Sequence, residues 1–328
     1  MTKPLSRWNY SQLSGIDDVH VAARRIEAFV HQTPVLTSRS LDEHVGHQVF
    51  LKCENLQKVG AFKFRGACNA VFALSDEEAK NGVIAHSSGN HAQALALAAR
   101  MRGIPAYIVM PSNAPQVKKD AVAGYGGIIT FCEPTLQARE ATQELIVCKT
   151  GARVVHPYDN DFVIAGQGTA ALELVGEVPD LDIVMAPVGG GGLLSGTGIV
   201  VSAHRPHAKT IGVEPDAADD AARSMAIGQI VPSENPKTIA DGLLTSLGER
   251  NFEIINDTVD SIVTVSEESI VAAMKFIWER CKLIIEPSAA VPIAALFERR
   301  VDTGSRRIGI ILSGGNVDLN LLPWQPHP

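Results

Sequence analysis

Eight short apolar runs, each set apart from the next by stretches of helical character, constrain this chain more than any other feature. They are Val49 to Lys52, Gly82 to Ala85, Ala106 to Met110, Gly127 to Phe131, Asp182 to Ala186, Thr210 to Glu214, Ser261 to Val265 and Ile308 to Leu312. Several are apolar throughout, which marks strands covered on both faces rather than one. Between them lie helical patterns such as His91 to Arg102, Ala114 to Tyr125 and Ser266 to Lys282. Strand–helix alternation predicts parallel sheets of the α/β class. The middle block supplies three strand–helix units of its own. The polar, proline-containing segment His156-Pro157-Tyr158-Asp159-Asn160-Asp161 reads as a hinge. Two domains are therefore expected, each an open, mostly parallel twisted sheet flanked by helices. The large one takes 1–72 and 158–328, the small one 80–152.

The length, 328 residues, leaves room for two domains. Lysine and arginine number 29 against 36 acidic residues, a net charge of −7, which disfavours nucleic acid or an anionic membrane surface as partner. The five cysteines, Cys53, Cys68, Cys132, Cys148 and Cys281, include no C-x-x-C pair, so reduced thiols in a cytoplasmic enzyme are expected. Met1 to Tyr10 lacks the apolar stretch of a signal peptide. The uncharged run Ile183 to Ala203 is long enough to span a bilayer, but Pro187 and six glycines interrupt it. A strand, a glycine turn and a buried helix explain it without a membrane.

Four segments could carry chemistry. Gly189-Gly190-Gly191-Gly192-Leu193 follows a strand and opens a helix, where backbone N–H groups can converge on a phosphate. It does not spell G-x-G-x-x-G, although Glu214 ends the next strand as in dinucleotide folds, so a nicotinamide dehydrogenase stays open on this loop alone. Lys58-Val59-Gly60-Ala61-Phe62-Lys63-Phe64-Arg65-Gly66 sets a lysine between phenylalanines, where partial burial would make its amine nucleophilic; a surface lysine at a helix start is the plainer alternative. His86-Ser87-Ser88-Gly89-Asn90-His91 could bind a carboxylate at a helix start, or Ser88 or Asn90 could simply cap that helix. Ser313-Gly314-Gly315-Asn316 follows the last strand and could be an ordinary glycine turn.

In this order, with Lys52-Cys53-Glu54-Asn55, Ala165-Gly166-Gln167-Gly168-Thr169 and Thr238-Ile239-Ala240-Asp241-Gly242, these motifs make the chain resemble the fold-type II pyridoxal-phosphate enzymes, the tryptophan synthase β-like family. Within it the chain looks like the serine racemase, serine/threonine dehydratase and 3-hydroxyaspartate dehydratase branch. The resemblance covers about Ile26 to Asn320. It leaves the dinucleotide alternative without roles for Lys63 and Ser313.

The resemblance implies pyridoxal 5'-phosphate held covalently by Lys63. Phe62 would lie on one face of its ring and Gly242 on the other. Gly189, Gly190, Gly191, Gly192 and Leu193 would cradle its phosphate, Asn90 would reach its ring oxygen and Ser313 its ring nitrogen. Ser87, Ser88 and His91 would hold the α-carboxylate of a small amino-acid substrate. Ser88 would also serve as a second base on the opposite ring face. The expected reaction is loss of water and ammonia from a small β-hydroxy amino acid, namely 3-hydroxyaspartate, L-serine or L-threonine, with serine racemisation as the alternative. Biosynthetic threonine deaminases carry alanine at the Ser88 position, and the chain stops at Pro328, before the place of their regulatory domain. Arg139, beside Glu140, is implied to reach the substrate when the small, mobile domain closes, or else the two form a helix-surface pair. Glu214, the Ala218 carbonyl and Asp220 match divalent-cation ligands suited to magnesium, manganese or calcium, the alternative being a solvated acidic loop. Leu244 and Ala289 depart from relatives, which carry a polar residue and a glycine there. A homodimer is implied as well.

Overall fold

A computed structural model describes residues 15–301 and 306–325. The N-terminal decapeptide and the outer ends of the large-domain spans read from the sequence lie outside the described residues.

The strands are β1 (Val35–Thr37), β2 (Gln48–Lys52), β3 (Val83–His86), β4 (Ala106–Pro111), β5 (Ile128–Cys132), β6 (Arg153–Val154), β7 (Ile183–Pro187), β8 (Lys209–Pro215), β9 (Ser261–Val265) and β10 (Arg307–Ile311). The helices are α1 (Ile16–Ile26), α2 (Arg39–Val45), α3 (Lys63–Ala73), α4 (Asp76–Ala79), α5 (Asn90–Arg102), α6 (Gln116–Gly124), α7 (Leu136–Thr150), α8 (Asp161–Glu177), α9 (Gly192–His204), α10 (Asp220–Ile227), α11 (Glu249–Thr258), α12 (Glu267–Phe276) and α13 (Pro287–Phe297).

The strands form two sheets. The six-stranded sheet runs β1-β2-β10-β7-β8-β9 and the four-stranded sheet β5-β4-β3-β6. Only β1 pairs antiparallel; every other pairing in both sheets is parallel. Helices pack on both faces of the large sheet and leave β7 buried at every position, as its uninterrupted apolar run requires. The small sheet's core is drawn from α5, β3, β4 and α3.

All eight strand runs read from the sequence form strands, with ends shifted by a residue or so. Two strands were not read. β1 holds three residues, and β6 holds two, lying just past position 152. The uncharged run from Ile183 divides into β7, the glycine turn and the buried α9. Among the described residues no helix is long and apolar enough to cross a membrane. Every segment singled out for chemistry emerges from the C-terminal end of a parallel strand, where open α/β sheets bind ligands.

Candidate active site

Two loops from distant parts of the chain zip together beneath the site. After β2 the chain makes two 3₁₀ turns, Glu54–Leu56 and Lys58–Gly60. Ala61 then bridges Gly314 antiparallel. The Phe62 N–H donates to the Ser313 carbonyl, and the Gly315 N–H to the Gly60 carbonyl, both at 2.9 Å. This backbone pairing sets Phe62 and Lys63 beside Ser313, which is 2% exposed.

Lys63 opens α3. Its Nζ donates to the Pro157 carbonyl at 2.9 Å and lies 5.1 Å from the centre of the Phe62 ring. Burial lowers its pKa to about 8, against the opposing pull of Glu286. The amine is thus a free base far more often than a surface lysine's, and the surface alternative fails. The start of α3 is moored two residues further on. Arg65, fully buried, grips Glu54 through Nε at 2.7 Å and Nη2 at 2.9 Å, and Nη1 reaches Glu173 at 2.6 Å. Lys52 Nζ meets the same Glu173 at 2.5 Å. The buried charges are matched by partners, as burial demands.

The glycine loop lies between β7 and α9. A Cβ on Gly190 would sit 2.3 Å from the Tyr158 ring, and Gly191 turns through φ +93°, so neither position accepts a side chain without displacement. Gly192 and Leu193 begin α9, where first-turn N–H groups lack helical acceptors. Gly242 sits across the cleft in the 3₁₀ turn Asp241–Leu243, its N–H on Ser288 Oγ at 3.2 Å. It approaches Gly189 closely: a Cβ there would lie 3.1 Å from the Gly242 carbonyl oxygen.

From the small sheet come the residues after β3. The sequence offers Ser88 or Asn90 as caps, but the cap of α5 is Gly89, with no side-chain hydrogen bond. Ser87 Oγ accepts from the Gly89 N–H at 3.3 Å. Ser88 is half-buried and its hydroxyl bonds nothing among the described residues. Asn90 instead reaches the large sheet's side of the cleft. Its Nδ2 donates to both Glu286 carboxylate oxygens, at 3.0 and 3.1 Å, and its Oδ1 accepts from Asn316 at 2.9 Å. His91 is buried on the Val155 carbonyl at 3.0 Å, and burial with Lys63 nearby lowers its pKa to about 3. It is a neutral fixture under the loop. Arg139 lies in the first turn of α7, near His86; it forms no ion pair with Glu140, and its Nε is buried without a partner. The helix-surface pair is therefore absent.

The acidic loop is not solvated. Glu214 is 1% and Asp220 0% exposed, and the Ala218 backbone between them is buried. Glu214 accepts from the Ala221 and Ala222 N–H groups at 3.2 and 2.8 Å, and Asp220 Oδ2 from the Leu247 N–H at 3.0 Å. Asp220 Oδ1 has no well-formed hydrogen bond. Burial, with Asp220 close by, raises Glu214 to about 8, and Asp220 is raised too. Two buried carboxylates that disfavour each other's charge, one with an unpaired oxygen, suit a cation. No group of three His, Cys, Asp or Glu residues converges among the described residues, so further ligands would be carbonyls or water.

Glu286 is the site residue that motif reading missed. It accepts from Asn90 and from the Asn316 N–H at 3.2 Å, and lies against Gly314, where a Cβ would come within 2.6 Å of Oε1. Burial raises it to about 7, reinforced by Asp241. Its only sequence signal is an acid directly before the proline that opens α13.

The profile described as pyridoxal-phosphate dependent enzyme matches residues 26–314. The β-hydroxyaspartate dehydratase of Paracoccus denitrificans (strain Pd 1222) is 49% identical over 94% of this chain and 98% of its own. The L-threo-3-hydroxyaspartate ammonia-lyase of Saccharomyces cerevisiae is 48% identical over 92% of this chain and 93% of its own. The crystal structure of serine racemase from Dictyostelium discoideum superposes with a TM-score of 0.90 at 47% identity, covering 93% of this chain and 99% of that one. A depressed lysine, a glycine cradle and a buried serine gathered at strand ends agree with these matches: the chain belongs to the family of pyridoxal-phosphate dependent enzymes.

Proposed function

We propose that this protein is a hydroxy-amino-acid ammonia-lyase. It removes water from a small β-hydroxy amino acid, and the released enamine tautomerises and is hydrolysed by water to a 2-oxo acid and ammonia, with 3-hydroxyaspartate ahead of L-serine and L-threonine as substrate. The observation that carries this reading is the Lys63 amine, depressed to about 8 and held in one cleft with Ser313 and the glycine loop. The relatives named for hydroxyaspartate support the choice of substrate. A nicotinamide dehydrogenase would leave Lys63 and Ser313 idle.

When bound, pyridoxal phosphate supplies a conjugated ring that withdraws electrons from the substrate's Cα. Gly189 to Leu193 would hold its phosphate, Phe62 and Gly242 would flank the ring, Asn90 would meet the ring oxygen and Ser313 the ring nitrogen. Ser87, Ser88 and His91 frame the α-carboxylate seat at the start of α5. Lys63 Nζ, free at neutral pH in an appreciable fraction, takes the Cα proton as general base. Ser313 offers a hydroxyl and no negative charge, so it does not hold the ring nitrogen protonated. Negative charge at Cα is then short-lived, which favours prompt departure of the β-hydroxyl over transamination. Glu214, Asp220 and the Ala218 carbonyl would hold a divalent cation, which would steady the loop after β8.

Serine racemisation is the second reading. The unpartnered Ser88 hydroxyl favours it, because a base on the other ring face could return a proton there. The test is a panel of L- and D-serine, L-threonine and the 3-hydroxyaspartate isomers, following oxo acid, ammonia and enantiomer. Purified protein is expected to be yellow and bleached by hydroxylamine. Lys63→Ala is expected to lose elimination and the covalent lysine–cofactor bond while keeping its circular dichroism. Full turnover by Lys63→Ala would overturn the assignment.

A further inference from the structure

The Pro157 carbonyl that receives Lys63 Nζ belongs to a segment without helix or strand between β6 and α8. Its position is set from outside, by the first turn of α11. Asn251, fully buried in that turn, donates from Nδ2 to the Tyr158 carbonyl at 3.1 Å. Asp159 Oδ1 accepts from the Arg250 N–H at 3.0 Å, and Arg250 Nε meets Asp161. Two adjacent peptide groups thus have different tasks: one receives the reacting amine, and the next is held by Asn251.

The same side chain also grips the glycine turn. Asn251 Oδ1 accepts from Ser195 Oγ at 2.9 Å, in the first turn of α9. A Cβ on Gly191 would fall 2.7 Å from Asn251 Cβ, so the turn and α11 meet without a gap. Three residues before Asn251, the Gly248 N–H donates to the Gly190 carbonyl at 3.1 Å. A carboxamide donates on one side and accepts on the other. Asn251 uses the first toward the linking segment and the second toward α9, at a place where water cannot replace either bond.

We propose that Asn251 is a positioning residue, which clamps the segment carrying Pro157 to the glycine turn and so fixes the Lys63 amine at one distance from the cofactor's phosphate. The inference rests on the reading of Lys63 as the base. Asn251 acts through the Tyr158 and Pro157 peptide groups, and its effect on Lys63 has a definite sign. A carbonyl acceptor favours the ammonium form, against the burial that lowers the amine to about 8. Once its mooring is lost, the Pro157 carbonyl drifts off Nζ and the amine becomes a free base at lower pH. The other titratable groups that face Lys63 are Glu286 at the start of α13, His91 on α5 and His156 in the linking segment. Asn251 bonds to none of them.

The test compares Asn251→Leu, which keeps the volume and loses both bonds, with Ser195→Ala, which loosens only the side toward the glycine turn. The full chain titrated with pyridoxal phosphate is expected to bind up to about tenfold more weakly in both variants, the scale of one buried hydrogen bond. In the holoenzyme, kcat rises with pH as Lys63 loses its proton. The midpoint of that rise is expected to stay in place in Ser195→Ala and to fall by about one unit in Asn251→Leu, the tenfold worth of a hydrogen bond to a charged group. A role in stability alone would lower the melting temperature of Asn251→Leu and leave midpoint and cofactor affinity as in wild type. That outcome would overturn the clamp, as would equal midpoint shifts in the two variants. Should Asn251→Leu fail to fold, Asn251→Ala carries the same comparison. A wild-type kcat that is flat from about pH 6 to 9 would overturn Lys63 as the base, and the cofactor titration would then decide the clamp by itself.

Discussion

Ser88 and Glu214 show how much a single residue's surroundings decide. With Gly89 as the cap of α5, the Ser88 hydroxyl makes no hydrogen bond among the described residues. Ser88→Ala is therefore expected to cut racemisation and turnover of D-serine at least tenfold while lowering elimination from L-substrates far less; chiral chromatography of the products checks it. Glu214 makes a prediction about stability. Its pKa rises from 4.5 to about 8 on folding. The folded state holds that proton more tightly, so the contribution is complete below the unfolded value and is lost as pH rises toward the folded one. Cation-free wild type should lose stability relative to Glu214→Gln from about pH 5 to 8, by up to roughly 1.4 kcal/mol per pH unit. Added magnesium should flatten or reverse that slope in calorimetric melts. Residue types and order singled out Lys63, Ser313 and Asn90 in the sequence, and folding gathers them at one cleft. Burial was not legible there. Nothing in the chain around Glu214 distinguishes a solvated acidic loop from a dry carboxylate pair, and Glu286 becomes notable only when folding closes Asn90 and Asn316 upon it.

Among the elements, the turn between β7 and α9 is tightly constrained. Gly190→Ala would drive a methyl group to 2.3 Å from the Tyr158 ring. Overpacking of this kind costs about 1–3 kcal/mol. Cofactor affinity should fall at least tenfold in fluorescence titration, and adding Tyr158→Ala should restore part of it by vacating the space. If Gly190→Ala titrates like wild type, the loop does not need its bare backbone. The apolar runs announced eight strands; β7, buried at every position, could not be polar, whereas β5 and β9 are apolar although partly exposed. β1 and β6 escaped notice because three and two residues show no period. The pattern from Ser266 to Lys282 was helical in one respect too simple: α12 passes into a π-helical turn at Ile277–Cys281, and Lys282 ends it in the left-handed region.

At the mouth of the cleft polar contacts link the two sheets' loops, while behind it α3 packs apolar side chains against α5. Asn90 bonds to Glu286 and Asn316, and Lys118 of α6 pairs with Asp241 at 2.5 Å, beside Gly242. The Lys118–Asp241 pair is partly exposed, so its worth is small and screened by salt. Lys118→Ala is expected to raise KM two- to fivefold with kcat changed less, and the difference from wild type should shrink in 0.5 M salt. An unchanged KM at low salt would show that the pair does not hold the cleft shut.

The place of β10 in the large sheet has a consequence for how the molecule comes into being. β10, which follows every other strand among the described residues, inserts between β2 and β7, two strands far earlier in the sequence. Until that strand leaves the ribosome the central layer has a gap at its middle, and Ser313, which follows it directly, has not yet met Phe62. A fragment ending before Arg307 is therefore expected to stay colourless with added pyridoxal phosphate, although it carries Lys63 and the glycine turn, and its absorbance spectrum checks this.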